Sequence, residues 1–161
     1  MKFSILINCH NQSKYINQCI LSSLNQKYRN FEVIVIDSSS QKMKLSKFIN
    51  QKKFKYWHIK KRYKYPEMNQ MYKIMFGFKK TSGDYICLLD GDDKFSNKKL
   101  KKIFKLIHSD KINFNQDIPI LINDNNQRKP FFLKSFKKNF IFQKFFISWP
   151  EVFGTSSITI K

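Results

Sequence analysis

The sequence predicts an α/β fold, a mostly parallel central sheet with flanking helices, and three observations carry that prediction. Short, mostly apolar runs at 3–7 and 31–36 read as strands, and the continuous apolar run 85–89 reads as a strand buried on both faces. Segments of helical period separate them, the clearest with Ile16, Ile20 and Leu24 spaced by four. Each run ends in polar residues: Asn8-Cys9-His10-Asn11, Asp37-Ser38-Ser39-Ser40 and Asp90-Gly91-Asp92-Asp93. Open α/β sheets bind their ligands at the C-terminal ends of their strands.

In chain order, the first strand and the helix carrying Ile16, Ile20 and Leu24 lead through Tyr28-Arg29-Asn30 into the β-branched run 31–36. Strand, helix and strand with short connections form a right-handed parallel crossover by default, so the loops after both strands open on one edge. A weaker helix is expected over 43–50 and a third strand over 54–59. The basic loop Lys60-Lys61-Arg62-Tyr63-Lys64-Tyr65, closed by Pro66, falls at that same edge. A charge run is usually a solvated face, and phosphate contact is its functional alternative.

Met68, Met71, Tyr72 and Met75 share a helical stripe that is expected to pack into the core before Gly77 and the central strand. Past the acidic turn, Ser96 or Asn97 can cap a helix with Leu100, Ile103, Phe104 and Ile107 on one side. Lys98, Lys99, Lys101, Lys102 and Lys105 form its expected solvent face. From Asp110 the texture changes: a strand over 118–122, a turn at Asp124-Asn125-Asn126 and a return at 131–133. A basic aromatic segment, 136–146, is expected to pack on the sheet, with an anionic membrane surface as the alternative. A last strand begins near Gly154.

The 161 residues suit one domain with a real core, divided near Asp110 into a regular half and an irregular remainder. No apolar run is long enough to span a bilayer, and the N-terminus enters a strand pattern directly, so a cytoplasmic protein is expected. Cys9, Cys19 and Cys87 are scattered, which points to neither a disulfide framework nor a zinc site. Abundant Lys, Asn, Ile and Phe beside only four Gly and four Pro is a compositional bias that accounts for much of the +20 charge. A basic surface attracts polyphosphates, anionic lipid or nucleic acid without choosing among them.

The acidic turn carries the most chemistry. Asp90 and Asp92 sit two apart, so an extended backbone points both side chains the same way. Like charges that close raise each other's pKa unless a cation lies between them. A hard divalent cation shared with a substrate phosphate satisfies that arrangement, and capping or lysine pairing is the structural alternative.

With these residues in place, the chain resembles the family 2 inverting glycosyltransferases, enzymes of GT-A fold. Residues 3–11 are similar to the family's opening strand and its Tyr-Asn ending, with His10 at the tyrosine; 20–26, Tyr28, Phe31 and 33–37 resemble its next helix and strand. Residues 82–93 with Leu100 resemble its Gly-Glu-Tyr-Ile and Asp-x-Asp signature, and 155–160 its later Thr-Ser-Ser segment. The resemblance implies a Rossmann-like GT-A sheet that is incomplete at the C-terminus, with 1–110 the nucleotide-sugar-binding half and 111–161 the start of the acceptor half.

The same resemblance implies a nucleotide-diphosphate sugar donor, a UDP-sugar first among them, and Mg²⁺ or Mn²⁺. By position, Asp92 is the principal metal ligand, Asp90 contacts the metal or ribose, and Asn8, His10 and Asp37 surround the nucleoside. Asp93 is a supporting or capping residue. Ser38 stands where many members have a second aspartate that often contacts the base. The family's frequent Ala-Arg-Asn is missing, and Lys73 is the candidate replacement for its arginine on the diphosphate. The family's general base follows its Thr-Ser-Ser segment, so it is expected beyond Lys161 and no catalytic base is assigned.

The implied acceptor is a carbohydrate or lipid-linked hydroxyl in surface polysaccharide or glycoconjugate assembly, with peripheral contact at the inner face of the membrane. A nucleotidyltransferase of similar architecture would place a Gly-rich phosphate loop after the first strand, and Asn8-Cys9-His10-Asn11 is not one. Two roles without turnover compete with sugar transfer: a nucleotide-sugar-binding remnant, and a basic membrane- or RNA-binding module. No RNA-binding aromatic motif is visible, so nucleic acid is not expected as a partner.

Overall fold

A computed structural model of the chain describes residues 1–110, 113–116, 120–122, 128–130, 156 and 158–161. The element order is β1 (Phe3–Cys9), α1 (Ile16–Leu24), β2 (Phe31–Asp37), α2 (Ser46–Ile49), β3 (Phe54–His58), α3 (Pro66–Phe78), β4 (Tyr85–Asp90) and α4 (Lys99–Asp110). Four short strands follow: β5 (Phe114–Gln116), β6 (Ile120–Ile122), β7 (Arg128–Pro130) and β8 (Ile158–Ile160). The six-stranded sheet runs β3-β2-β1-β4-β8-β5, and β6 pairs with β7 separately. β3, β2, β1 and β4 are mutually parallel, while β8 lies antiparallel to both β4 and β5. The mostly parallel sheet predicted from the apolar runs is therefore present, and the strand order reverses direction between β1 and β4.

Every residue of β1 and β2 is buried, which is why both are apolar over most of their length rather than alternating, with Ser4 and Glu32 as buried polar exceptions. Alternation still decides which face each side chain serves. Phe3, Ile5, Ile7 and Cys9 of β1 join Val33 and Val35 of β2 and Cys87 and Leu89 of β4 under α1 and α4. Leu6, Ile34, Ile36 and Leu88 lie on the other face with Ile158 and Ile74 of α3. Gly77 lets α3 come close there, since a Cβ on it would sit 2.5 Å from Leu6 Cδ1. All three cysteines are buried free thiols; burial pushes Cys9 up to about 12 and Cys87 up to about 11, so they pack rather than react.

Several expectations change in detail. The helix expected over 43–50 contracts to Ser46–Ile49, whose single buried side chain is Phe48. Of the strand expected over 118–122, Ile120–Ile122 is present, and 118–119 lie outside the described residues. A strand at Arg128–Pro130 pairs with Ile120–Ile122, while the expected return at 131–133 and the amphipathic segment 136–146 lie outside the described residues. α4 begins at Lys99, and just before it Ser96 Oγ accepts the Lys98 N–H at 3.4 Å; Gln26 Oε1 accepts the Leu100 N–H at 3.2 Å, and Gln26 Nε2 donates to the Ser96 carbonyl at 2.9 Å. Lys99 leaves the expected solvent face, lying half-buried 5.0 Å from the Phe95 ring, and burial pushes its ammonium down to about 8.

The methionine stripe is the largest reversal. Met68, Met71 and Met75 are 49%, 54% and 51% exposed, and α3 instead buries Asn69, Lys73, Ile74 and Gly77. Helical period identifies a stripe but not the side that meets the sheet, and here the close packing of Gly77 on Leu6 selects the polar side.

At the N-terminal edge of the sheet, Glu32 is the electrostatic anchor. Its Oε1 accepts Ser4 Oγ at 2.8 Å, Ser82 N at 2.7 Å and Ser82 Oγ at 2.8 Å, and its Oε2 pairs with Lys55 Nζ at 2.9 Å. Burial raises the Glu32 pKa, but Lys55, Ser4 and Ser82 together outweigh it and hold the carboxyl at about 2, below its ordinary 4.5. A depressed carboxyl stabilises above its unfolded pKa and loses that contribution as pH falls through the folded value. Glu32→Gln should therefore cost about 2 kcal/mol at neutral pH. Its urea midpoint should converge on that of the wild type as pH falls from 4.5 toward 2; midpoints that stay equally far apart would contradict this.

Candidate functional site

The parallel register assembles the site. Asn8 is paired with Asp90 across β1 and β4, and Cys9 with Asp37 and Asp37 with His58 across β1, β2 and β3. Strand order reverses between β1 and β4, so the crevice beyond their ends is the topological switch point. A pocket of about 320 Å³ opens there, lined by Asn8, His10, Gln12, Lys61, Pro66, Asn69, Gln70, Lys73, Asp90 and Asp92.

Asn8 and Asp90 both alternate onto the α3 face of the sheet, the face of Leu6 and Leu88. Asn8 Nδ2 donates to Asp90 Oδ1 at 3.2 Å and Gln70 Nε2 donates to the same oxygen at 3.3 Å. The side-chain oxygen of Asn8, Oδ1, is buried without a hydrogen-bond partner, an exception in a protein interior that points to a donor or cation from a ligand. Lys73 is 5% exposed and its Nζ donates to the Cys9 carbonyl at 3.0 Å. Burial lowers the pKa of Lys73, and the charges of Cys9, Asp90 and Asp37 oppose that shift.

The acidic turn is braced from two sides. A Cβ on Gly91 would lie 2.6 Å from Gln12 Oε1 and 3.0 Å from Cys9 Sγ, so a glycine lets the turn press against the end of β1. From the far end of the sequence, Ser156 Oγ accepts the Asp90 N–H at 2.8 Å. Burial raises the Asp93 pKa, the Ser156 hydroxyl bond opposes that, and Asp90 and Asp92 push it further up. Asp93 thus supports the turn, while Asp90 and Asp92 face the pocket.

Of the six residues expected at the site, Asn8, His10, Lys73, Asp90 and Asp92 meet in this one pocket. Asp37 does not line it. By alternation it shares the α1 face with Val33 and Val35, is fully buried, and spends both oxygens on its neighbours. Its Oδ1 accepts Ser39 N at 2.8 Å and Ser39 Oγ at 2.5 Å, and its Oδ2 accepts Tyr56 OH at 2.7 Å. Ser39 in turn holds Asn11, whose N–H donates to Ser39 Oγ at 2.8 Å and whose φ of 53° turns the chain after β1. His10 Nδ1 lies 2.8 Å from the Ser38 carbonyl, which fixes the ring when that nitrogen carries the proton.

Asn69, Gln70 and Gln12 were not singled out from sequence. The available signal was the polar set Asn69, Gln70 and Lys73 at helical spacing, opposite the methionines. Asn69 is 6% exposed and organises the basic loop. Its Oδ1 accepts the Arg62 and Tyr63 N–H groups at 2.9 Å each, and its Nδ2 donates to the Tyr63 and Tyr65 carbonyls. Lys61 is thereby held at the pocket. Asn69→Ala should cost about 1–3 kcal/mol by stranding these groups. Hydrogen exchange at the Arg62 and Tyr63 amides should accelerate, and unchanged exchange would show that the loop does not depend on Asn69.

The pocket's two carboxylates suit a hard cation. Among the described residues no three His, Cys, Asp or Glu side chains form a complete metal cluster. A cation at Asp90 and Asp92 would therefore share its coordination with substrate oxygens and water, which is how Mg²⁺ is usually held beside phosphates. The partnerless Asn8 Oδ1 beside Asp90 fits the same donor chemistry.

Comparison with known proteins bears on the family and the fold. Relatives include an uncharacterized glycosyltransferase of Rickettsia bellii (strain RML369-C), 36% identical over 116 residues, 70% of this chain and 16% of the relative. The amylovoran biosynthesis glycosyltransferase AmsB of Erwinia amylovora is 29% identical over 108 residues, 66% of this chain and 36% of AmsB. The chain thus spans well under half the length of these relatives. Similar solved structures include S. aureus TarS 1–349 in complex with UDP-GlcNAc, with TM-score 0.59, 24% identity and coverage of 71% of this chain and 33% of that one. The mannosyltransferase PcManGT from Pyrobaculum calidifontis, in complex with GDP-Man and Mn²⁺, matches with TM-score 0.59 and 13% identity over 70% of this chain and 34% of that one. These likenesses show the GT-A type of fold. The sequence model described as glycosyl transferase family 2 matches residues 4–160, and the chain belongs to that family.

Proposed function

We propose that this chain forms the donor-binding part of an inverting, metal-dependent glycosyltransferase that takes its sugar from a nucleotide-diphosphate sugar. One observation carries the reading: Asp90, Asp92, Asn8 and Lys73 converge on a single pocket at the switch point of the sheet. Asp92 and Asp90 would hold Mg²⁺ or Mn²⁺. Bound there, the cation would neutralise the diphosphate as the sugar–phosphate bond breaks.

The chain's own residues do the rest. Lys73, kept in place by the Cys9 carbonyl, and Lys61 on the pinned loop meet the diphosphate oxygens. Gln70 and Asn8 fix the Asp90 carboxylate. His10 contacts the nucleoside, and Asp37 acts on it through the Ser38–Ser39 segment that orients His10. TarS in complex with UDP-GlcNAc and PcManGT with GDP-Man and Mn²⁺ support a nucleotide-sugar donor and a cation, and we place UDP first. The relative AmsB supports a role in polysaccharide synthesis, with a carbohydrate or lipid-linked acceptor.

The test is a thermal shift of the chain with UDP, GDP, CDP and dTDP, each with Mn²⁺ and with EDTA. A nucleotide at a hundredfold excess over its Kd stabilises by about 2.7 kcal/mol, a rise of roughly 5–10 °C in a domain of this size. The rise should appear with one base, vanish in EDTA and vanish in Asp92→Asn. No rise with any nucleotide, in a chain that melts cooperatively, would refute the donor site.

A further inference from the structure

The outer face of α3 is apolar, and its buried face carries Asn69 and Lys73. Such inverted amphipathicity needs an explanation on both sides. Inside, the polar residues serve the pocket and its loop. Outside, Met68, Met71 and Met75 stand about half exposed on one helical stripe, and Tyr65, 61% exposed, continues it beyond the N-terminus of the helix. Scattered exposed apolar residues are ordinary, whereas a contiguous stripe marks an interaction surface.

Charge selects the partner. Between residues 60 and 80 the exposed basic residues are Lys60, Lys61, Arg62, Lys64, Lys79 and Lys80, against the single acid Glu67. They sit at the two ends of the stripe, and rings beneath hold some of them there: Arg62 lies 5.3 Å from the Tyr72 ring and Lys80 5.3 Å from the Phe76 ring. A second copy of this surface would set like charges against each other in a chain already at +20, so self-pairing is disfavoured. An apolar centre with basic ends and an interfacial tyrosine matches a helix lying in the headgroup region of an anionic bilayer.

We propose that the outer face of α3, with the basic residues at its two ends, docks on an anionic lipid bilayer. Pro66, Asn69, Gln70 and Lys73 of the same helix line the pocket from its opposite side, so docking would hold the pocket about one helix diameter from the lipid surface. Presentation of a lipid-linked acceptor there rests on the proposed donor site; the docking itself does not.

The experiment uses sedimentation of the chain with vesicles of phosphatidylcholine alone and of phosphatidylcholine mixed with phosphatidylglycerol. Binding should require the anionic lipid and weaken with salt. The combined variant Met68→Ser, Met71→Ser, Met75→Ser keeps every charge and should lose about tenfold or more of its partitioning. Leu106→Ser on α4 should bind as the wild type does. A Met71→Trp chain should shift its emission to the blue on anionic vesicles and be quenched by brominated lipid. Equal binding by the methionine variant would reduce the attraction to bulk charge and overturn the proposal, as would a Trp that stays in water. A methionine variant that changes oligomeric state without vesicles would assign the face to a second copy and overturn it equally. Nucleotide-induced thermal shifts of the same variants keep this result separate from the fate of the donor site.

Discussion

The pairing of Asn8 with Asp90 across parallel β1 and β4 is the constraint on which the site depends. A slip of one residue in that register would send Asp90 to the α1 face and Leu89 into the crevice. Packing guards against it twice, because Ile5 and Ile7 sit with Cys87 and Leu89 on one face while Leu6 sits with Leu88 on the other. The apolar core thus sets the position of the carboxylates, and the acidic turn inherits its aim from residues that never touch a ligand.

The same alternation separates two acids that the sequence places in equivalent positions. Asp37 and Asp90 each end a buried strand, yet the odd and even parities of β2 and β4 turn them to opposite faces. Asp90 faces the pocket. Asp37 becomes the buried anchor for Ser39 and Tyr56, with burial and the Asp37 bond both raising the Tyr56 pKa.

Much of this was legible beforehand. β1, β2 and β4 declared themselves because strands covered on both faces are apolar over most of their length, and the polar residues at their C-terminal ends then marked the ligand edge. Strand existence needed only local composition, but the face served by each terminal residue needed the register, so Asp37 could not be separated from Asn8. α3 was legible as a helix and misread in orientation, since an apolar stripe looks the same whether it meets a sheet or a partner. Short β5 and α2 carry too few residues to show any period. Asn69 was hidden because one side chain meeting four backbone groups leaves no trace in spacing.

The bond from Asp90 N to Ser156 Oγ joins residues 66 apart in sequence and rests on β8, which enters the sheet beside β4 in the opposite direction. Synthesis proceeds from the N-terminus, and β1, β2, β3 and β4 can pair long before Ile158 emerges. The acidic turn is then fastened after those four strands, because its clasp is made across a long sequence separation whose closure is slow. A nascent chain of this protein would hold a nearly finished sheet and an unfastened site. Competence to grip a charged ligand would therefore trail the pairing of β1, β2, β3 and β4.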